Sequence, residues 1–216
     1  MPEREPSPIE WRGAVPVARR WGDPFFSLHD GASEARHVFL AGNGLPARLR
    51  PGFHVGELGF GTGLNALVLA EAWTGPGRIA MTSFELAPMG RDDMARALAA
   101  FPLLDAAPLL DVWPAERVAL PGLDLRVVVG DARATVPRWE GRADAWFLDG
   151  FAPARNPEMW EAALLRAVAA RTAPGGTVAT YTAAGHVRAA LARAGLEVRR
   201  VAGHGRKRHM TVGRLP

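Results

Sequence analysis

Hydrophobic and polar positions along the 216-residue chain change rhythm several times, and the changes mark its elements. Residues 53–58, FHVGEL, form a short apolar run that stops at a glycine-rich turn. Leu64, Leu67, Val68 and Trp73 then recur at helical spacing. IAMTSFE (79–85) is a second apolar run. A helix-like alternation follows from Arg91 to about Ala100, and Asp92 and Asp93 suit its first turn. LDLRVVVGD (123–131) predicts a third strand and residues 144–149 a fourth. A helix is expected from Pro157 to Arg171, after which Pro174-Gly175-Gly176 turns into a fifth strand, TVATYT. A helix over 184–194 leads to LEVRRVA and HMTVGRL, which read as a closing antiparallel pair. Near-continuous apolar strands are buried on both faces. Their alternation with helices predicts βαβ units, hence an α/β fold with a mostly parallel sheet of seven strands and a C-terminal antiparallel hairpin.

Residues 1–50 lack this rhythm. Pro2, Pro6 and Pro8 predict a disordered start. Trp21, Phe25 and Phe26 stand close together, so this lead-in is expected to pack over something. A helix is predicted from Ser33 to about Leu40, with Ser33 as its cap and Ala35, Val38 and Phe39 as its apolar face; Gly42, Asn43 and Gly44 end it. The expected organisation is one domain: a lead-in or lid over 1–50 and an α/β unit over 51–216. The proline-punctuated stretch 102–121 fits no element.

Composition narrows the class. A chain of this length suits a single core, and 48% hydrophobic with 22% charged residues is ordinary globular content. No apolar run approaches the roughly 20 residues of a membrane helix, and the start has no charged-then-apolar secretory pattern. The absence of cysteine excludes disulfides and thiolate metal sites. A soluble cytoplasmic protein without metal is therefore expected. Net charge is +4, and Lys207 is the only lysine among 26 basic residues. Arginine forks match phosphate geometry, yet they signify nucleic acid only where they cluster.

The stretch DAWFLDGFAPARNPEMW (144–160) carries the most specific chemistry. A buried strand delivers Asp149 at its carboxyl end, where ligands bind in open α/β sheets. Gly150 and Pro153 then shape a loop, and Pro157 restarts a helix. The competing role for Asp149 is a helix cap in an ordinary turn. The turn Gly59-Phe60-Gly61-Thr62-Gly63 follows the first strand and opens a helix, so its backbone amides suit a nucleotide. Glu85 ends the next strand about 20 residues on, where a ribose clamp belongs. A glycine turn made only for tight packing is the alternative. A nicotinamide enzyme would need a further substrate domain, for which too little chain remains.

The spacing Glu57-x-Gly59-x-Gly61-x-Gly63 resembles the first motif of class I methyltransferases that use S-adenosylmethionine. That resemblance implies a Rossmann-like fold, the glycines beneath the cofactor's amino-acid part, Glu85 on the ribose diol and Asp131 on the adenine amino group. More narrowly, the chain resembles the methyltransferase-domain family of MnmC, which completes 5-methylaminomethyl-2-thiouridine at the tRNA wobble position. The matching pieces are ELGFGTGLN (57–65), SFE (83–85), DAWFLDGFAPARNPEMW (144–160), APGGTVATYT (173–182), GRKRHM (205–210) and SEARHVFLAGN (33–43). They span about residues 21–214. The fourth-strand motif is the specific one.

The resemblance implies methyl transfer from S-adenosylmethionine to the amine of 5-aminomethyl-(2-thio)uridine in tRNA. Bifunctional members continue into a flavin-dependent oxidoreductase, so this chain resembles the stand-alone form and no flavin is expected in it. Asp149 is then the candidate proton acceptor. Phe151 and Pro153 are expected to shape the acceptor pocket, with Phe151 stacking on the uracil. Arg155 and Asn156 are candidate nucleotide contacts, although Asn156 before Pro157 also suits a helix cap. Arg206, Lys207 and Arg208, with Arg188, Arg193, Arg199 and Arg200 nearby, are candidates for a basic face toward tRNA phosphates, against a merely solvated charge run. His204 and His209 have no ligand spacing and read as bystanders. Two rivals stay open: a methyltransferase for another amine, and a non-catalytic RNA-binding protein of the same fold.

Overall fold

The computed structural model describes residues 8–27, 30–205 and 207–216. The expected disorder at Pro2 and Pro6, and the phosphate contact expected of Arg206, fall outside these residues. Three short strands open the chain: β1 (Ile9–Arg12), β2 (Val15–Ala18) and β3 (Asp23–Pro24), an antiparallel sheet that the sequence did not announce. Next comes α1 (Gly31–Ala35), which runs on through a π-helical turn (Arg36–Leu40) and a 3-10 turn (Ala41–Asn43). Its cap is Asp30, whose carboxylate accepts from the Ser33 amide at 2.9 Å; Ser33 is the capped residue, not the cap.

The main sheet is built from β4 (His54–Leu58), β5 (Ile79–Glu85), β6 (Arg117–Leu120), β7 (Leu123–Val129), β8 (Ala143–Leu148), β9 (Thr172–Thr180), β10 (Glu197–Ala202) and β11 (His209–Arg214). Between them lie α2 (Leu64–Ala72), α3 (Arg91–Leu98), α4 (Ala107–Leu110), α5 (Ala132–Arg138), α6 (Ala162–Ala170) and α7 (Gly185–Arg193). The strand order is β10-β11-β9-β8-β4-β5-β7-β6. The five inner strands β9, β8, β4, β5 and β7 are parallel, and β10, β11 and β6 run antiparallel to their neighbours. The seven expected strands are present, joined by β6 from the stretch that fitted no element. β6 alternates exposed and buried residues over only four positions between two prolines, which is why its pattern was too short to read.

Burial on both sheet faces explains the apolar runs. On β8, Ala145 and Phe147 join the core beneath α1, α2 and α3, whereas Trp146 and Leu148 join the core beneath α5, α6 and α7. Two expectations shift in detail. The helix expected over 157–171 is a 3-10 turn (Pro157–Trp160) followed by α6, broken where Glu161 adopts an extended ψ of 140°. β9 begins before the Pro174-Gly175-Gly176 turn rather than after it. Its pairing jumps from Ala143↔Thr172 to Ala145↔Thr177, so residues 173–176 bulge out of the ladder, where proline is tolerated.

Candidate functional site

Strand order reverses at β4, with β5 on one side and β8 on the other, and a crevice opens at such switch points. Here it is a cavity of about 530 Å³, within the range of small-molecule sites. The turn after β4 forms its floor. Gly59 (φ 85°) carries no Cβ for a steric reason: one would stand 2.5 Å from the Asp149 carbonyl oxygen. Gly61 and Gly63 also have positive φ, and Gly61 and Phe60 line the cavity, with Phe60 stacked 5.1 Å from Trp113. The Gly63 backbone turns the chain into α2.

Glu85, at the end of β5, faces this turn. Its carboxylate accepts from the Gly61 amide at 3.1 Å and the Ala87 amide at 2.8 Å, and burial pushes its pKa up against those bonds. Asp131 lines the cavity after β7, where it caps α5 by accepting from the Arg133 amide at 2.9 Å. The Arg133 guanidinium, 2.7 Å away, holds its pKa below the ordinary value.

Glu57 does not line the cavity. It is fully buried beneath the floor, 2.9 Å from Asn65 Nδ2 and 2.5 Å from Ser83 Oγ. Burial drives its pKa well above the usual carboxylate range, which favours the neutral acid. Asn65 Nδ2 also donates to Asp149 Oδ2 at 2.7 Å, so one amide on the first turn of α2 ties the two acids together. Asn65 stands inside the GTGLN piece of the sequence, yet nothing in a linear reading links residue 65 to residue 149. Asp149, partly buried at the end of β8, has its pKa raised to about 7 by burial, offset by the Asn65 bond.

The loop after Asp149 is pinned at three successive residues. Tyr181 donates its hydroxyl to the Gly150 carbonyl at 2.8 Å, Trp160 Nε1 donates to the Phe151 carbonyl at 2.8 Å, and the Ala152 amide donates to Asp23 at 2.7 Å. Phe151 faces the cavity between Trp21 (4.9 Å between ring centres) and Phe25 (5.2 Å). The aromatic lead-in therefore packs over the loop, as expected. Pro153 turns the chain outside the cavity lining, and Arg155 points away to Asp23 (3.7 Å) and the Trp21 carbonyl (3.3 Å). Asn156 occupies the cap position and lines the cavity, but its side chain makes no capping bond.

The C-terminal hairpin contributes Lys207, whose ammonium reaches the cavity wall instead of standing free beside its neighbours. Arg208, Arg199 and Arg200 are exposed. His204 lines the cavity mouth, 5.5 Å from His37, and no metal-binding cluster occurs among the described residues. No helix there is long and apolar enough to cross a membrane. Glu34 and Tyr181, which no sequence signal singles out, complete the wall.

Comparison with known proteins places the chain in a family. A family model described as S-adenosyl-L-methionine-dependent methyltransferase covers residues 106–216. The chain is 48% identical over 224 residues to the tRNA 5-methylaminomethyl-2-thiouridine biosynthesis bifunctional protein MnmC of Caulobacter vibrioides, covering 96% of this chain and 38% of that protein. It is 43% identical to the protein of the same name from Chromohalobacter salexigens, covering 97% and 33%. The chain thus spans about a third of the length of these relatives. Among solved structures, MnmC2 of Aquifex aeolicus aligns with a TM-score of 0.75 at 25% identity, covering 98% of this chain and 71% of that one. TrmN of Thermus thermophilus shares the fold at a TM-score of 0.53 and 21% identity, covering 95% and 50%.

Proposed function

Since the chain belongs to the S-adenosyl-L-methionine-dependent methyltransferases, we propose that it methylates the 5-aminomethyl group of the wobble (2-thio)uridine in tRNA, giving 5-methylaminomethyl. The names of the bifunctional relatives support this substrate. The observation that carries the reading is Asp149. It is a carboxylate with its pKa near 7, set at the switch point beside an aromatic slot.

The residues present fit the cofactor. A glycine turn leaves main chain bare, Glu85 offers carboxylate oxygens at the next strand end, and Asp131 follows at the third. When bound, S-adenosyl-L-methionine supplies a methyl group already activated by positive sulfur. Gly59, Phe60 and Gly61 would pass beneath its amino-acid part, with Gly63 packed behind them against Leu109 instead of contacting it; Glu85 would hold the ribose diol, and Asp131 would meet the adenine. Glu57 supports this floor from below through Asn65.

The chain's remaining tasks are alignment and proton removal. An alkylamine is mostly protonated at neutral pH and has no free lone pair. Asp149 accepts that proton at a carboxylate oxygen, and Asn65 fixes the carboxylate for it. Phe151, held between Trp21 and Phe25, offers a flat face to the uracil. Nucleoside mass spectrometry tests the reading. tRNA bearing 5-aminomethyl uridine, incubated with the protein and S-adenosyl-L-methionine, should convert to the methylaminomethyl nucleoside. Absence of conversion, with methyl transfer to small amines instead, would refute the tRNA assignment.

A further inference from the structure

Lys207 is not placed like an ordinary surface lysine. Its Nζ lies 2.8 Å from Glu34 Oε1 and 3.9 Å from the centre of the Tyr181 ring. The Glu34 side chain is only 14% exposed, whereas that of Lys207 is 45% exposed. Glu34 is fixed on the first turn of α1, and the Tyr181 ring is held by its hydroxyl bond to Gly150. A carboxylate set against an aromatic face is the chemistry that binds an alkylammonium ion, by a charge-assisted hydrogen bond on one side and ring quadrupole on the other. Glu34, Tyr181 and Lys207 share the cavity with Asp149, and the two charged groups bias its proton, Glu34 raising its pKa and Lys207 lowering it.

The two partners differ in what separation costs them. A carboxylate so covered loses much if left without a cation. A lysine already half in water loses little by swinging outward. Whatever displaces Lys207 must therefore bring a positive charge to the same place. An aminomethyl group does, and a neutral hydroxymethyl group of equal size does not.

We propose that Glu34 and Tyr181 form the alkylammonium subsite of the acceptor, which Lys207 fills in the acceptor's absence. The identity of that acceptor rests on the function proposed above; the ammonium chemistry does not. The subsite admits the amine in its charged form and presents it to Asp149, and it makes Lys207 a competitor rather than a phosphate contact.

Two measurements separate the claims. Propylammonium chloride is titrated by calorimetry into protein saturated with S-adenosylhomocysteine. The wild type should bind it, Glu34→Gln and Tyr181→Leu should weaken binding at least tenfold, Tyr181→Phe should keep most of it, and Lys207→Ala should tighten it severalfold. KM for aminomethyl tRNA should follow the same order, with cofactor affinity unchanged. Unchanged propylammonium affinity in Glu34→Gln, or loss of binding in Lys207→Ala, overturns the subsite even if tRNA is methylated. The predicted order for propylammonium with no transfer to tRNA upholds the subsite and overturns the tRNA reading instead.

Discussion

Asp149 shows at the scale of one residue how burial is exchanged for chemistry. Its folded pKa of about 7 lies above the ordinary value near 3.9, so folding favours its proton. The sign follows: this group's stability contribution is complete below about pH 4, is lost as pH rises to about 7, and stays lost above it. Asp149→Asn keeps an oxygen for the Asn65 bond and removes the charge. The variant should be more stable than wild type by up to ~4 kcal/mol at pH 8, shrinking to about 1 kcal/mol at pH 4.5. Urea denaturation at both pH values checks this, and an equal gap at the two would contradict it. The same variant should transfer methyl groups roughly 10²–10⁴ more slowly in single turnovers. In the wild type that rate should rise with pH through about 7 and then level off. Both Asn65 amide hydrogens are engaged by the two acid side chains, so Asn65 orients Asp149 without conducting its proton to Glu57. Asp149 and the glycine motif were legible because strand ends and glycine turns have sequence signatures. Asn65, Glu34 and Tyr181 were not, because their roles depend on contacts far along the chain.

At the scale of the element, the loop after β8 is shaped less by its own proline than by what grips it. Pro153 and Arg155 were expected in the pocket, yet the loop is fastened from outside, and Asp23 grips it at two points, the Ala152 amide and the Arg155 guanidinium. Asp23→Ala should cost about 1 kcal/mol of stability, since the Ala152 amide it leaves unpaired is half-buried. It should also raise hydrogen exchange across 150–156 and lower methyl transfer, while cofactor affinity changes little. Exchange confined to wild-type levels would show that the aromatic contacts of Trp21 and Phe25 suffice. Most strands were legible to within two residues because both faces of the sheet are buried; β9, which starts five residues earlier than expected, is the exception. Breaks inside elements were not: the bulge at 173–176 and the halt at Glu161 answer to neighbouring chain, and Asp30 outcompetes Ser33 as a cap by one turn's offset.

Across the whole molecule, the parallel core and the closing hairpin could be read from the alternation of elements; the strand order, and with it the switch point at β4, could not. The edge strand β6 and the sheet β1–β3 could not, since short strands carry too few positions to show a period. Exposed Arg199 and Arg200 lie on the edge strand β10, and Arg208 stands on the turn that follows. If they track phosphates, KM for tRNA should climb steeply with salt. Replacing Arg199 and Arg200 with Ala should lower the log–log slope by about 2 without touching cofactor affinity. A slope that stays constant would place the tRNA elsewhere. The pair Glu34–Lys207 joins positions 173 residues apart. During synthesis, the glycine turn and the strand ends β4, β5 and β7 exist long before the acceptor wall does. A nascent chain would thus form the glycine turn and its strand ends early, and the Glu34–Lys207 contact that closes the cavity wall only once the hairpin β10–β11 has emerged.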